Sequence, residues 1–346
     1  MSGPRALAGL EREELVALLA ELDAPAWRAD QILSWFYARR VDSFDAMTNI
    51  PAALRAKLPE RLALFTSGAE ETVADPDGTT KLGIRLADAH TIEAVMIPED
   101  TRRTGCVSTQ VGCPIGCLFC ASGAKGFARN LETHEIVEQV VHLERLLAAK
   151  ERLTHLVFMG IGEGMLNLPK LIKAIRVVNA PWGLNIGARR MTVSTVGVPN
   201  TIGKLARSGI QVNLAVSLHA PTDALRAKLI PRKTILKVDD LIDEAEDYYE
   251  ATGREVTYEY VLLAGMNDSF EIAEELAEKI KPCHASVNLI PYNETPGSAF
   301  RRPGPDAVRR FHTVLKRAGV PATVRRRRGS RVHAACGQLR LDVSGR

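Results

Sequence analysis

The sequence predicts an α/β fold, a partial (βα)6 barrel preceded by an N-terminal helical accessory domain and a β-hairpin. From about residue 105 onward, apolar strand-like runs alternate with amphipathic helical stretches, a pattern typical of a parallel sheet. The first 64 residues instead have helical periodicity, and two runs of alternating residues follow them. We therefore expect a helical accessory domain over 1–64, a hairpin extension over 65–104, the barrel over 105–325 and a basic C-terminal segment over 326–346.

The N-terminal region is predicted to be three helices. Their apolar faces, in order, are Leu15, Leu18, Leu19 and Leu22, then Ile32, Trp35 and Phe36, then Leu54, Leu58 and Leu62. Pro25 and Pro51 stand at the starts of the second and third helices, where proline is tolerated. Between about 80 and 97, two alternating runs flank a turn at Asp88-Ala-His90, which predicts the hairpin.

Six strand and helix pairs are predicted in the barrel. The strands are expected at 105–110, 155–160, 190–195, 211–218, 256–262 and 286–290. The helices are expected near 132–148, 168–178, 199–207, 237–251, 268–280 and 304–318. In barrels of this kind the reactive groups lie on loops after the carboxyl ends of the strands, so those loops are where we expect the active site.

Composition favours an ordinary globular protein. The chain has 346 residues, of which 46% are hydrophobic and 25% charged, which excludes fibrous and disordered classes. No apolar run approaches membrane-spanning length, and the acidic residues near the N-terminus interrupt any export signal. Six cysteines without such a signal favour a reducing compartment. We expect a cytoplasmic monomer without a membrane partner.

Charge is distributed unevenly along the chain. Residues 301–346 contain thirteen Lys and Arg against two acids, a net +11, although the whole chain carries only +4. The densest block is Arg325 to Arg328. This asymmetry predicts an electropositive face for a nucleic acid, although a solvated basic helix and tail would have the same composition.

Three cysteines form the clearest chemical motif. Cys113, Cys117 and Cys120 have a C-x3-C-x2-C spacing within a loop rich in glycine and proline. Three thiolates can hold a [4Fe–4S] cluster while leaving one iron open to a small molecule. The spacing resembles that of the radical S-adenosylmethionine (SAM) superfamily. The alternatives are a zinc site with a distant fourth ligand and three thiols that only pack.

Small polar groups follow the later strands. Gly162 and Glu163 lie in a glycine-rich turn after the second strand, which resembles the "GGE" motif of radical SAM enzymes. Ser194, Ser217, His219 and Asn293 end or follow the third, fourth and sixth strands, where they could hold a ribose, a carboxylate and an adenine edge. Taken singly, each could equally be a loop residue or a helix cap.

Two further cysteines are not needed to ligate the cluster. Cys336 is flanked by Ala334, Ala335 and Gly337, which leave room for a bulky group at its sulfur. Such access suits a nucleophilic thiolate, and a buried structural thiol is the alternative. Cys106 lies just before the three-cysteine motif, and we expect no special role for Cys283.

Several longer strings together resemble the RlmN/Cfr family of radical SAM RNA adenine methyltransferases. They are Trp-Arg-Ala-Asp-Gln-Ile-Leu-Ser-Trp (27–35), Ile-Glu-Ala-Val (92–95), Cys-Val-Ser-Thr-Gln-Val-Gly-Cys (106–113), Ser-Leu-His-Ala-Pro (217–221), Asn-Leu-Ile-Pro-Tyr-Asn (288–293) and Ala-Ala-Cys-Gly-Gln-Leu (334–339). The resemblance implies methylation of adenosine at C2 in 23S rRNA and in tRNA. It also implies a [4Fe–4S] cluster, SAM and an electron donor such as flavodoxin or ferredoxin.

The resemblance also implies a role for each site residue. Cys336 would accept a methyl group from one SAM, and a second SAM, bound at the cluster of Cys113, Cys117 and Cys120, would be cleaved to a radical that activates this methyl. Cys106 would release the RNA by forming a transient disulfide with Cys336, and Glu93 would be the general base. The SAM-contacting positions would be Gly162, Glu163, Ser194, Ser217, Leu218, His219 and Asn293.

Two departures from the family pattern keep alternatives open. Gly164 and Glu294 stand where prolines are usual. Both lie near the expected SAM pocket, so methylation at C8, as in the Cfr branch, is the alternative to C2. From a different class, a non-catalytic iron–sulfur protein that binds RNA would share the cysteine motif and the basic tail.

Overall fold

The computed structural model describes residues 3–123, 126–295 and 297–339. Its strands are β1 (Arg5–Ala6), β2 (Leu62–Ala63), β3 (Gly68–Ala74), β4 (Thr80–Arg85), β5 (Thr91–Glu99), β6 (Arg102–Cys106), β7 (Gln110–Gly112), β8 (Phe127–Asn130), β9 (His155–Phe158), β10 (Met191–Thr195), β11 (Asn213–Ser217), β12 (Val256–Leu262), β13 (Ala285–Pro291) and β14 (Ala322–Val324). Its α-helices are α1 (Arg12–Ala20), α2 (Arg28–Leu33), α3 (Ala52–Arg61), α4 (Thr133–Arg145), α5 (Leu168–Asn179), α6 (Ile202–Arg207), α7 (Asp223–Leu229), α8 (Val238–Thr252), α9 (Phe270–Ile280) and α10 (Pro305–Arg317).

One large sheet organises the barrel. Its strand order is β14-β13-β12-β11-β10-β9-β6-β5-β4-β3. Neighbours from β6 through β14 are parallel, whereas the β3, β4, β5 and β6 neighbours are antiparallel. The predicted α/β class with its parallel sheet is confirmed, and the loops after the parallel strands share one edge of it.

The first barrel strand begins and ends earlier than predicted. Strand β6 ends at Cys106, which is paired with Val157 of β9, and the chain then leaves the large sheet. Residues 110–112 form β7 instead, which pairs with β8. The predicted strand at 105–110 therefore combined the end of one strand with the start of another, because the residues between them, 107–109, include no proline or glycine that would mark the break.

The hairpin is continuous with the barrel. Strands β4 and β5 pair as predicted, and β5 continues the sheet by pairing with β6. Strand β3 was not predicted, because nearly all of its residues are exposed and its sequence lacks apolar alternation. The Asp75–Thr79 turn that joins β3 to β4 extends toward the C-terminal segment.

The N-terminal helices share one apolar core with the barrel. Leu15, Leu18 and Leu19 are buried on α1, in the same cluster as residues of α4 and α5. The helix begins with a capping box in which Glu11 and Glu14 accept each other's backbone N–H groups. Pro51 is the N-cap of α3, whereas α2 begins at Arg28, three residues after Pro25. In the described residues, no helix is long and apolar enough to cross a membrane.

Candidate active site

A cavity of about 1230 Å³, mouth included, lies at the carboxyl ends of the parallel strands. Most of the sequence-predicted site residues line it, namely Cys106, Cys113, Cys117, Cys120, Gly162, Glu163, Ser194, Ser217, His219, Asn293 and Cys336. Leu218 and Glu93 are not in the wall. Leu218 is fully buried in the main core, and Glu93 lies on β5 at a position that shares a face with the cavity-lining Ile97.

Backbone contacts shape the three-cysteine loop. Gly112 has φ +76°, and a Cβ there would lie 2.0 Å from the Gly126 carbonyl oxygen, so only glycine fits. The Cys113 N–H donates to that same oxygen at 2.9 Å. Further along, the Leu118 N–H donates to the Leu229 carbonyl at 3.0 Å, which joins the loop to the end of α7.

The three thiols are close enough to influence one another. Burial raises the pKa of Cys117 well above its ordinary value, and the neighbouring Cys120 and Cys113 raise it further. Burial is also the main reason that the pKa of Cys113 rises to about 11. A bound metal centre would offset this cost by stabilising the thiolates.

The donor set fits a cluster better than a single ion. Within the described ranges, no three Cys, His, Asp or Glu side chains are grouped as ligands of one metal ion. The three thiolates of a [4Fe–4S] cluster bind three separate irons, so they need not meet at one point. Cys113, Cys117 and Cys120, which line the cavity, would hold that cluster and leave one of its irons without a protein ligand.

The glycine-rich turn after β9 aims Glu163 at the cavity. Gly162 has φ +112°, and a Cβ there would lie 2.7 Å from the Gln110 Cβ. The Glu163 carboxylate accepts hydrogen bonds from the backbone N–H groups of Met165 (3.2 Å) and Val196 (2.9 Å). Burial nevertheless raises the pKa of Glu163 to about 7. A ligand ammonium group in the cavity would favour its ionised form.

His219 offers a neutral donor to the cavity. Its Nδ1 accepts a hydrogen bond from the Val261 N–H at 3.0 Å, so the remaining proton of the neutral ring is on Nε2. Burial lowers the pKa of His219 to about 3, and the ring stands edge-on to Phe119 at 4.9 Å between centroids. Nearby, the Ser194 hydroxyl donates to the Phe158 carbonyl at 3.1 Å.

The C-terminal segment forms part of the cavity wall. The Ala121 N–H, next to Cys120, donates to the Gly337 carbonyl at 2.8 Å. The Asn293 amide donates to the Cys336 carbonyl at 3.2 Å, so this expected SAM contact also supports the Cys336 loop. Residues 340–346 of the predicted basic segment lie outside the described residues.

Two aspartates of the β3–β4 turn hold the same segment, and sequence analysis missed both. The Gly329 N–H donates to Asp77 Oδ2 and the Arg331 N–H donates to Asp75 Oδ2, each at 2.9 Å. Burial tends to raise the pKa of Asp77, but the hydrogen bonds from Gly329 and Thr79 outweigh it and the pKa is lowered. The Asp-Pro-Asp-Gly pattern indicates a turn and carries no signal of this distant contact.

Cys106 and Cys336 line the same cavity as free thiols. The expected disulfide is therefore not present in the structure. Burial, followed by the effect of Cys336, raises the pKa of Cys106 to about 12. Cys336 is exposed to the cavity interior, yet the surrounding protein raises the pKa of its thiol while the Arg325 charge lowers it.

Arg325 lies in the cavity wall and not on the predicted nucleic-acid surface. It lines the cavity together with Cys106, Cys336 and Glu259, and its backbone N–H continues the sheet by donating to the Leu289 carbonyl at 2.8 Å. Burial lowers the pKa of Arg325, but the charges of Cys336 and Glu259 outweigh it and the pKa is raised. Strand pairing turns this first arginine of the block inward, whereas Arg326 and Arg327 are exposed.

Glu93 is buried beside a cation. Its carboxylate lies 2.7 Å from the Lys81 Nζ on the neighbouring strand β4. Its backbone carbonyl accepts a hydrogen bond at 2.7 Å from the hydroxyl of Ser108, which lies two residues after Cys106 in the chain.

Comparisons with known proteins place this site in a family. Residues 6–64 match the ribosomal RNA large subunit methyltransferase N-terminal domain, and residues 107–290 match the radical SAM superfamily. A protein of Rhodopirellula baltica, named a probable dual-specificity RNA methyltransferase RlmN, is 44% identical over 99% of this chain and 92% of its own length. The chain belongs to the RlmN family of radical SAM RNA methyltransferases.

Other relatives agree with this membership of the RlmN family. The ribosomal RNA large subunit methyltransferase N of Nitrosopumilus maritimus is 41% identical over 96% of this chain and 97% of its own length. The crystal structure of a radical SAM methyltransferase from Sphaerobacter thermophilus superposes with a TM-score of 0.95 at 44% identity, covering 98% of this chain and 100% of that one. The family implies SAM and a [4Fe–4S] cluster, which the cysteine loop fits.

Proposed function

We propose that this RlmN-family enzyme methylates C2 of adenosine in 23S rRNA and in tRNA through a methylated Cys336. The observation that carries the proposal is the single cavity lined by the three-cysteine loop, Cys106 and Cys336. The relatives named as dual-specificity RNA methyltransferases support the choice of RNA substrates. C2 of adenine lies between two ring nitrogens and is electrophilic, so it does not attack the SAM methyl group directly, and a radical route with a protein methyl carrier meets this need.

Cys336 is the proposed methyl carrier. Its thiolate attacks the SAM methyl group, a sulfur–carbon bond forms, and S-adenosylhomocysteine leaves. Arg325 lines the same cavity and its charge favours that thiolate. The bound cluster supplies the electron that cleaves a second SAM into a radical able to take hydrogen from the methyl group on Cys336.

Cys106 and Glu93 are proposed to release the product. The methyl carbon of Cys336, having lost one hydrogen atom, would bond to C2 of adenine, and the adduct would return one electron to the cluster. Glu93 would accept the proton from C2, and the Cys106 sulfur would bond to the Cys336 sulfur as the bond from Cys336 to the RNA-linked carbon breaks. The electron pair of that broken bond would stay on the RNA-linked carbon, which would take up a proton to become the methyl group. A thiol donor must then reduce the disulfide. Glu163, His219 and Asn293, with Gly162, Ser194, Ser217 and Leu218 beside them, are the proposed SAM-binding positions.

The exposed arginines of the C-terminal segment are proposed to hold RNA phosphates. Arg326, Arg327 and Arg331 are exposed near the segment that carries Cys336. A base must leave its stack to enter a cavity of this kind, so the target adenosine is expected in a loop or flipped out. Further expectations are a monomer in the cytoplasm, reduced by a flavodoxin or ferredoxin.

Anaerobic turnover with defined RNA tests the proposal. Reconstituted protein should convert SAM to 5′-deoxyadenosine and S-adenosylhomocysteine, and mass spectrometry should find 2-methyladenosine in 23S rRNA and in tRNA. Cys336→Ala should abolish methylation while keeping the cluster absorbance. Cys283→Ala is the matched control, because Cys283 lies outside the cavity, with its sulfur 3.3 Å from the Lys279 carbonyl.

Each outcome of that assay has a defined meaning. A product methylated at C8 would replace the C2 assignment by the Cfr-type alternative. RNA binding without any SAM cleavage would indicate a non-catalytic iron–sulfur protein. Methylation by Cys336→Ala at the wild-type rate would refute the methyl-carrier role.

A further inference from the structure

Arg226 is a buried arginine behind the cavity wall, on α7. Only 3% of its surface is exposed. Its guanidinium donates to the backbone carbonyls of Leu218 (3.0 Å), Leu236 (2.9 Å) and Ser217 (3.2 Å), and also to that of Val196. Three of these carbonyls belong to the ends of β10 and β11 or the residues just after them, so one side chain holds together the loops that form the expected SAM pocket.

The Arg226 guanidinium donates its hydrogen bonds to backbone carbonyls. Among the residues that the structure describes, no Asp or Glu forms an ion pair with it within 4.0 Å. The ionisable groups that act on it are the Cys117 thiol and, more weakly, Asp223, whose carboxylate accepts a hydrogen bond from the Val238 N–H at 2.8 Å. Burial lowers the pKa of Arg226 to about 10, so it remains a cation at neutral pH.

Packing places that charge beside the cysteine loop. The Leu118 N–H, adjacent to Cys117, donates to the Leu229 carbonyl at the end of α7. Leu229 and Ile230 belong to the same apolar cluster as Ile115 and Phe119, against which the three cysteines pack. Arg226 itself is 3% exposed, so its charge acts on the cysteine loop through the protein interior, where charge interactions are stronger than in water.

We propose that Arg226 is a positioning residue whose charge raises the reduction potential of the cluster held by Cys113, Cys117 and Cys120. This inference rests on the proposed function, because it requires the cluster. Reduction adds a negative charge to a centre that three thiolates already make anionic, so a nearby buried cation stabilises the reduced form more than the oxidised form. A unit charge about 10 Å away, at an effective dielectric constant of about 20, shifts such an equilibrium about tenfold.

The test is a redox titration of anaerobically reconstituted protein, followed by the electron paramagnetic resonance of the reduced cluster. In Arg226→Gln, the ratio of reduced to oxidised cluster at a fixed potential should fall about tenfold, which is a shift of about 59 mV for one electron. Arg226→Lys keeps the charge, so its potential should stay near the wild-type value. Its affinity for SAM should fall, because an ammonium cannot span the four carbonyls.

Arg40→Gln is the matched control. Arg40 also donates to backbone carbonyls, including that of Leu147 at 3.1 Å, and pairs with buried Glu144 at 2.7 Å, but it lies outside the cavity wall and apart from the cysteine loop. Its removal should leave the potential unchanged.

Two results would overturn the inference. One is an unchanged potential in Arg226→Gln with a full iron content. The other, decisive even where Arg226→Gln cannot be loaded with the cluster, is a ratio of reduced to oxidised cluster in Arg226→Lys that falls tenfold or more at the same fixed potential, because the charge would then not be the cause. A wild-type protein that takes up no cluster would instead contradict the proposed function itself.

Discussion

Asp77→Ala should loosen the segment that carries Cys336. The Asp77 carboxylate accepts the Gly329 N–H at 2.9 Å, and Gly329 is itself buried, so removing the acceptor leaves a donor without its partner. A hydrogen bond to a charged group contributes about 1.5–3 kcal/mol. Taking about 2 kcal/mol, the segment should open locally about 30-fold more often.

Hydrogen exchange measured by mass spectrometry would follow this opening in the peptide around 329–336. Asp88→Ala is the matched control, because Asp88 also caps a hairpin turn, accepting the His90 N–H at 3.2 Å, and its other partner in the described part of the chain is Arg129 rather than the C-terminal segment. Because the pKa of Asp77 is lowered, the stabilisation from the ionised Asp77 carboxylate is fully present above about pH 4 and is lost as the pH falls through the folded-state pKa. Equal protection in Asp77→Ala and the wild type would refute the reasoning.

Three further changes test other parts of the molecule. Gly162→Ala should lower the free energy of unfolding by about 1–3 kcal/mol and weaken SAM binding, because the positive φ of Gly162 and its 2.7 Å approach to Gln110 exclude a Cβ. Gly187→Ala is the control, because a Cβ at Gly187 would have nothing within 4 Å. Equal urea midpoints for the two variants would contradict the prediction. Cys106→Ala should trap a covalent protein–RNA adduct visible on denaturing gels, whereas Cys283→Ala should not; clean turnover by Cys106→Ala would exclude the resolving role. Burial, followed by the charge of Arg145, lowers the pKa of His142 to about 4, so the folded protein favours the neutral ring. The free energy of unfolding should therefore decrease as the pH falls from about 6.5 toward 4, by roughly 2 kcal/mol at pH 5. His142→Phe should flatten that part of the unfolding profile, and an unchanged slope would count against it.

Local periodicity predicted much of the fold. Strand β12 has the predicted bounds, and α10 differs from its predicted range by one residue at each end. Strand β12 was predictable because it is a short, almost wholly buried run rich in β-branched and aromatic residues, and α10 because its buried Val308, Phe311 and Leu315 recur at helical spacing. Strand β3 and helix α7 lack that pattern: β3 is nearly all exposed, and α7 directs the charged Arg226 inward.

The candidate site also has parts that the sequence predicts and parts that it does not. The spacing of Cys113, Cys117 and Cys120 is a local feature, because a ligand loop is formed by residues close together in the sequence. The inward direction of Arg325 and the hold of Asp75 and Asp77 on the C-terminal segment appear in no local pattern. They depend on strand pairing and on contacts between parts of the chain that are far apart in sequence.

The sequence by itself determined the fold class, the three-cysteine ligand set and the family resemblance, because each is carried by residues close together or by strings in a fixed order. Only the tertiary structure decided that Cys106 and Cys336 line one cavity and that Arg226 lies behind the cysteine loop. The physical reason is that a side chain's partners are set by the register of the sheet and by the path of the loops across its edge, and neither leaves a periodic signal in the chain.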